Sequence, residues 1–289
     1  MVRSSKMRHW LKTVFASAIL VSGFTAGTAL HAQETVIPNF WDINERFPKP
    51  DVSTLSRLRF LTTTDFPPFN FIDRKKRLSG FHVDLARAIC AELGVLNRCQ
   101  IQALPWAELQ ETLKKGEGEA IIAGLATTAE TRKELDFSRQ YLKIPARFIV
   151  RKADGLAAPA YEAIFKKKTG VIANSAHEAY FKSVFANRTA EIFPTRQAAL
   201  QALQENKIDA VFSDALSLSF WLTSSVSKDC CEFLDGAFLS DTHFGRGLSI
   251  AVAKGDVRLK NSLNFALNEI NRKGTFAELY LRYFPVGLY

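Results

Sequence analysis

Gly170-Val171-Ile172-Ala173, then His177 to Phe185, then Glu191-Ile192-Phe193, then Thr195 to Gln204, then Ala210-Val211-Phe212: between residues 170 and 212, short apolar runs alternate with longer segments of helical spacing. Runs of three or four apolar residues are too short for helices and read as buried strands. Strand, helix, strand, helix, strand in that order predicts a parallel-rich sheet with helices on its faces. The rhythm is present upstream as well. Leu58-Arg59-Phe60-Leu61-Thr62 reads as a strand, and Val83 to Leu93 as a helix with Val83, Ala86, Ile89, Cys90 and Leu93 on one face and Gly94 ending it. Cys99 to Leu104 is strand-like, Trp106 to Lys115 an amphipathic helix closed by Gly116, and Ala120-Ile121-Ile122-Ala123 another short strand. Two such units define the expected fold class, α/β with two lobes. Ligands in such folds sit at the carboxyl ends of the strands, so two facing units share one cleft. The strands expected to cross between lobes and form the hinge are Ala146 to Arg151 and Leu248 to Ala253. The helices Val257 to Asn271 and Phe276 to Tyr283, parted by Lys273-Gly274-Thr275, close the chain.

Outward from this core, residues 1–32 read as an export signal. Arg3, Lys6, Arg8 and Lys12 precede an apolar run from Val14 to Leu30, with no acid before Glu34. Cleavage is expected after Ala32, with Ala29 as the alternative. Losing the segment removes four positive charges and no negative ones, taking the net charge from +9 to +5. Residues 33–56, with Pro38, Pro48 and Pro50, read as an extended leader. The densest basic runs, Arg74 to Arg77 and Lys166 to Lys168, lack interleaved aromatics, so no nucleic-acid partner is expected. The remaining chain, about 257 residues, exceeds the size of one usual core and has no later apolar segment of membrane-spanning length. An exported chain keeps disulfides. Cys90 late in a helix and Cys99 at the next strand are expected to bridge across the turn at Gly94. Cys230 and Cys231 are left open, either an adjacent-residue disulfide or two thiols.

The ordered pieces Asp65-Phe66-Pro67-Pro68-Phe69, Gly80-Phe81-His82-Val83-Asp84-Leu85-Ala86, Trp106, Ala120 to Gly124, Asp136-Phe137-Ser138, Asp209 to Asp214, and Gly274-Thr275 before Tyr283-Phe284 run through the chain from Leu58 to Phe284. In that order and spacing the sequence resembles the extracellular solute-binding proteins of the polar amino acid family, which serve ATP-driven importers. The resemblance implies a periplasmic-binding-protein clamshell. Its first lobe would run over residues 57–149 and 249–289 and its second over 150–248. It also implies a periplasmic, monomeric protein that captures an amino acid or related polar solute for an ABC transporter membrane permease. No cofactor or metal is expected.

A buried zwitterion needs donors for its carboxylate and acceptors for its ammonium, since either left unpaired costs several kcal/mol. By the resemblance, Asp214, just past a strand end, takes the ammonium; a helix N-cap is its plainer reading. Phe66 and Trp106 match positions whose rings cover the ligand, with core packing as the alternative. Gly124 belongs to the same edge. Ser175, opening a helix after a strand, offers a hydroxyl and helix N–H groups to a carboxylate. His177 reads as a surface helix position. One departure stands out. Counting back from Phe137 puts Thr131 where the family has a carboxylate-clamping arginine, with Arg132 one residue later, about 100° around a helix. Either Arg132 takes the role after a shift of the helix start, or Arg147 substitutes, or the ligand lacks that carboxylate. The alternatives to transport are a cyclohexadienyl dehydratase-like enzyme of the same fold, with Glu108, Glu130 or Glu178 as candidate acids, and a sensor that reports its ligand to a membrane receptor. No catalytic constellation, paired metal-ligand spacing among the five His, or phosphate loop around Gly245-Arg246-Gly247 marks the chain as an enzyme.

Overall fold

The computed structural model describes residues 36–42, 44–156, 159–284 and 286–289; the expected signal segment, residues 1–32, lies outside the described residues. β1 (Leu58–Thr62) places Leu58, Phe60 and Leu61 wholly out of solvent. A small antiparallel ribbon follows, formed by β2 (Asp65–Phe66), β3 (Asn70–Ile72) and β4 (Leu78–Ser79). It carries the Pro-rich loop, with a cis peptide between Pro67 and Pro68. α1 (Phe81–Glu92) starts without a side-chain cap. Instead, the N–H groups of Phe81 and His82 donate to the carbonyls of Pro68 and Phe69 at 2.9 and 2.8 Å, so the loop itself satisfies the helix start. Gly80 permits that approach, since at φ +132° a Cβ would come within 2.2 Å of the Phe69 carbonyl oxygen.

β5 (Cys99–Ala103) leads through a tight 3₁₀ turn at Trp106–Glu108 into α2 (Leu109–Lys114). The expected helix from Trp106 therefore becomes regular only at Leu109. β6 (Ala120–Ile121), α3 (Thr131–Glu134) and β7 (Leu135–Phe137) complete this stretch. The chain continues through β8 (Ala146–Arg151), α4 (Ala160–Ala163), β9 (Thr169–Ile172), α5 (Ala176–Val184), β10 (Ala190–Phe193), α6 (Arg196–Gln204), β11 (Ala210–Asp214), α7 (Ala215–Thr223) and β12 (Cys231–Phe233). It ends with β13 (Ala251–Ala253), α8 (Val257–Arg272) and α9 (Thr275–Tyr283).

Two five-stranded sheets result, in the orders β5-β1-β6-β13-β7 and β10-β9-β11-β8-β12. In the first, β5, β1 and β6 are parallel and β13 runs against both its neighbours. In the second, β10, β9 and β11 are parallel and β8 is antiparallel to β11 and to β12. Both sheets thus aim three parallel strand ends at one edge. The first core packs α1, α8 and α9 over β1 and β6, with Phe60, Phe81, Leu263 and Tyr280 fully buried. The second is aromatic: Phe148 lies 4.6 Å from Phe212 and stands edge-on to Phe185 and Phe238 at 5.4 and 5.5 Å.

The sequence placed the crossing in Ala146 to Arg151 and Leu248 to Ala253. The structure puts β8 wholly in the second sheet and β13 wholly in the first. Phe148, Ile149 and Val150 are completely buried, as a central strand requires. The chain changes sheets before Ala146 and returns before Leu248, where isolated bridges join Leu142 to Leu248 and Ala146 to Phe238. Lys143 and Asp241 pair at 2.7 Å across the two connections.

Cys90 and Cys99 form the expected disulfide, with Cα atoms 6.1 Å apart, and Cys230 and Cys231 are joined as well. Among the described residues no helix is long and apolar enough to cross a membrane.

Candidate solute-binding cleft

At the parallel edge of the first sheet, the chain leaving β1 turns into Phe66. Its ring stacks on Phe69 with centroids 4.7 Å apart, and Phe69 lies 4.7 Å from the ring of His82. His82 is fully buried and anchors this pile. Asn70 Oδ1 can only accept, so at 2.8 Å it fixes the proton on His82 Nδ1, and Nε2 then accepts from the Tyr141 hydroxyl, also at 2.8 Å. Asn70 Nδ2 in turn donates to Thr63 Oγ1 at 2.7 Å. Burial lowers the imidazole pKa to about 3, so the ring is neutral at ordinary pH. Gly124, beyond β6, meets the exposed side of the same pile. At φ +82°, a Cβ there would lie 2.8 Å from Phe66 Cε1. Phe66 and Gly124, singled out in the sequence, are therefore in contact. Trp106 stands past the end of β5 with half its surface exposed. It is no core residue.

The loop after Gly124 closes on itself. Thr131 Oγ1 donates to the Ala126 carbonyl at 2.8 Å and accepts from the Thr128 N–H at 3.0 Å. The hydroxyl at the position of the family arginine is thus absorbed by its own loop. Arg132 is exposed, and its carbonyl accepts from Lys254 Nζ at 2.7 Å. Lys254 follows β13, which runs against β6, so it marks the sheet edge opposite the one carrying Gly124. Glu134, two residues on, pairs with Lys114 at the far end of α2. The main chain at Arg132 therefore hangs toward the edge away from Phe66. Arg147 is also committed elsewhere: buried, it donates to the main-chain oxygens of Leu234 and Tyr289 at 3.0 and 3.2 Å and lies over Phe233 at 4.2 Å. Burial pulls its pKa below the usual guanidinium range, opposed by Asp235 and Tyr280.

The parallel edge of the second sheet gathers three further segments. Ser175 caps α5, accepting from the Glu178 N–H at 3.1 Å and donating to the Ile172 carbonyl at 2.7 Å, so its hydroxyl is spent on the cap. Glu178 reaches back to the Asn174 N–H at 2.6 Å and pairs with Lys182 at 2.5 Å. The Ala179 N–H goes to the Ser175 carbonyl. Among the described residues this leaves the N–H groups of Ala176 and His177 without protein acceptors at the helix start.

Asp214 ends β11 and caps α7, its Oδ1 accepting from the Ser217 N–H at 2.8 Å. Its Oδ2 accepts from Arg196 Nη2 at 2.7 Å, while Arg196 Nε reaches Ser213 Oγ at 3.3 Å. Burial raises the Asp214 pKa, but Arg196, Ser217 and His177 outweigh it and hold the carboxyl below its usual range. Ala215 and Leu216, the next two residues, are buried within the first core, and the Ala215 N–H donates to the Pro145 carbonyl at 2.9 Å. Asp214 therefore stands where the two lobes meet.

His177 is not the surface residue expected. It stacks on Phe244 at 4.9 Å, and burial lowers its pKa while Asp214 opposes and Arg196 reinforces the shift. Arg196 and Thr127 went unremarked in the sequence. Thr127 Oγ1 is buried beyond Gly124 without a hydrogen-bond partner among the described residues. Arg196 opens α6 three residues after β10 ends, a strand-end position that the carboxyl-edge rule could have flagged.

Two α/β lobes, joined by paired connections and each ending three parallel strands at one edge, define a two-lobed binding protein. The chain belongs to the bacterial extracellular solute-binding proteins, family 3, whose family profile matches residues 58–286. It is 30% identical over 228 residues to a chain of Escherichia coli (strain K12) named as an arginine-binding protein of an ABC transporter, covering 78% of this chain and 90% of that one. It is 27% identical over 226 residues to the L-arginine-binding protein of Pseudomonas aeruginosa, covering 78% and 86%. In fold it is similar to the L-cystine solute receptor of Neisseria gonorrhoeae in its unliganded open conformation, with a TM-score of 0.68 at 20% identity over 80% of this chain and 94% of the other.

Proposed function

We propose that this solute-binding protein captures an amino acid between the two strand-end edges and hands it to the membrane permease of an ATP-driven importer. The observation that carries the reading is Asp214: an ionised, mostly buried acid at the lobe junction, in a chain whose first lobe carries an aromatic pile at Phe66 on its own strand-end edge. Such a pair suits an ammonium and an adjoining side chain. Relatives named for arginine binding support it. In this reading Phe66, Gly124 and Trp106 line the first-lobe wall, and Asp214 with the α5 start at Ser175 lines the second. With β8 wholly in the second sheet and β13 wholly in the first, residues 57–142 and 248–289 move as one lobe against 146–238. The protein works as a monomer in the periplasm after losing residues 1–32, with 33–56 as a leader. Capture rather than catalysis fits the acids, because Glu178 is tied to Asn174 and Lys182, and Glu130 is exposed and paired with Lys133 at 2.7 Å. A thermal-shift screen of the twenty common amino acids tests this. At a hundredfold excess over its Kd, a cognate ligand stabilises by about 2.7 kcal/mol. A panel in which no amino acid moves the melting midpoint overturns the reading.

A further inference from the structure

Arg196 and Asp214 form an ion pair at the strand-end edge, Arg196 from the helix that follows β10 and Asp214 from the end of β11. In the sheet, β9 lies between those two strands. The Arg196 side chain therefore spans the end of β9, above the loop that opens α5. The 2.7 Å bond to Asp214 fixes its charge there, beside the start of α5. His177, the second residue of α5, feels both Arg196 and Asp214. The N–H groups of Ala176 and His177, at the same helix start, lack protein acceptors among the described residues. Of the guanidinium's five N–H groups, one meets Ser213 and one meets Asp214, so three, two of them on Nη1, remain to bind an anion.

The pairing also sets a charge condition. A ligand ammonium brought to Asp214 would come close to the Arg196 guanidinium, two cations sharing one carboxylate in a half-buried place. A second negative charge is required beside Arg196. We infer that the ligand supplies it: Arg196 is the cation that receives the ligand's α-carboxylate, so the second lobe alone holds both poles of the zwitterion. An amino acid carries its ammonium and carboxylate on one carbon, and laid against the Arg196–Asp214 pair with opposite polarity it completes an alternating array of four charges. The first lobe then needs no arginine where Thr131 stands, and Phe66, Gly124 and Trp106 are left to meet the side chain. This inference rests on the amino acid reading above.

The experiment is calorimetric titration of each of the twenty L-amino acids and its α-carboxamide into the whole protein and its variants. The wild type should prefer the acid over the amide by roughly tenfold to a hundredfold for its best ligand, as loss of a charge-assisted hydrogen bond implies. Arg196→Gln should bring that ratio near one, Arg196→Lys should restore part of it, and Arg132→Gln should leave it unchanged. A melting curve of unliganded Arg196→Gln and the lysine rescue separate recognition from misfolding. An unchanged ratio in Arg196→Gln, an equal loss of acid and amide, or a collapsed ratio in Arg132→Gln overturns the assignment. If the wild type binds no amino acid at all, the underlying reading fails first, whatever Arg196 does.

Discussion

The helix cap that Asp214 makes and the ammonium role proposed for it are separable by one substitution. Asparagine caps a helix as well as aspartate does, so Asp214→Asn should keep α7 and the fold while removing the charge that faces an ammonium. Binding of the cognate amino acid should weaken by at least about 2 kcal/mol, roughly thirtyfold, in calorimetry; affinity within twofold of wild type removes Asp214 from the site. His82 makes a prediction of another kind. Its folded pKa, about 3 against 6.5, is depressed by burial, so the unfolded chain binds the proton first as pH falls. Its share of stability is intact above pH 6.5 and is lost as the pH drops toward 3, at up to about 1.4 kcal/mol per unit. Urea midpoints at pH 7 and pH 5 should therefore fall further apart in the wild type than in His82→Gln, and equal spacing would refute it. At this scale the sequence was half legible. Asp214 could be placed from its strand, because a residue after a short apolar run ends at the sheet edge. His177 could not, since its burial depends on Phe244, distant in sequence. Arg196 was missed because its partner lies two strands away.

Among the elements, the strands and long helices were readable and the short ones were not. Runs such as Ala210 to Phe212 and the face of Val83, Ile89 and Cys90 carry period and length together, whereas α3 has four residues and no period to detect. Its orientation is set by Thr131 folding back onto Ala126 and by Lys254 holding Arg132 from another strand. Neither contact leaves a mark in local sequence. The crossing strands were misplaced for a related reason: apolar runs announce burial but not which sheet buries them. The link between β6 and the Phe66 ribbon gives the element-scale test. Gly124→Ala forces a left-handed backbone on alanine and drives its Cβ to 2.8 Å from Phe66. The variant should lose about 1–2 kcal/mol of stability and bind its amino acid several-fold more weakly, since the ring must move. Melting curves and titration check both, and wild-type values in each would show that the contact is slack.

For the whole molecule, a solute held by walls from two lobes is enclosed only when they approach. X-ray scattering at saturating amino acid should give a smaller radius of gyration than the free protein, with the change centred on the connections near Leu142 and Leu248. An identical profile at saturation rules out closure. The topology has one more consequence, for the order in which the protein is made. β13 joins β6 to β7 in the middle of the first sheet, yet it is built after every strand of the second. As the chain leaves the ribosome, β6 and β7 wait with bare edges until Ala251 to Ala253 emerge, while the second sheet already has all its strands. A released chain truncated after residue 249 should therefore yield a protease-resistant fragment spanning the second lobe and be cut freely between residues 58 and 137. The lobe begun first is the lobe finished last, and its open edges are where a holding chaperone would be needed during synthesis.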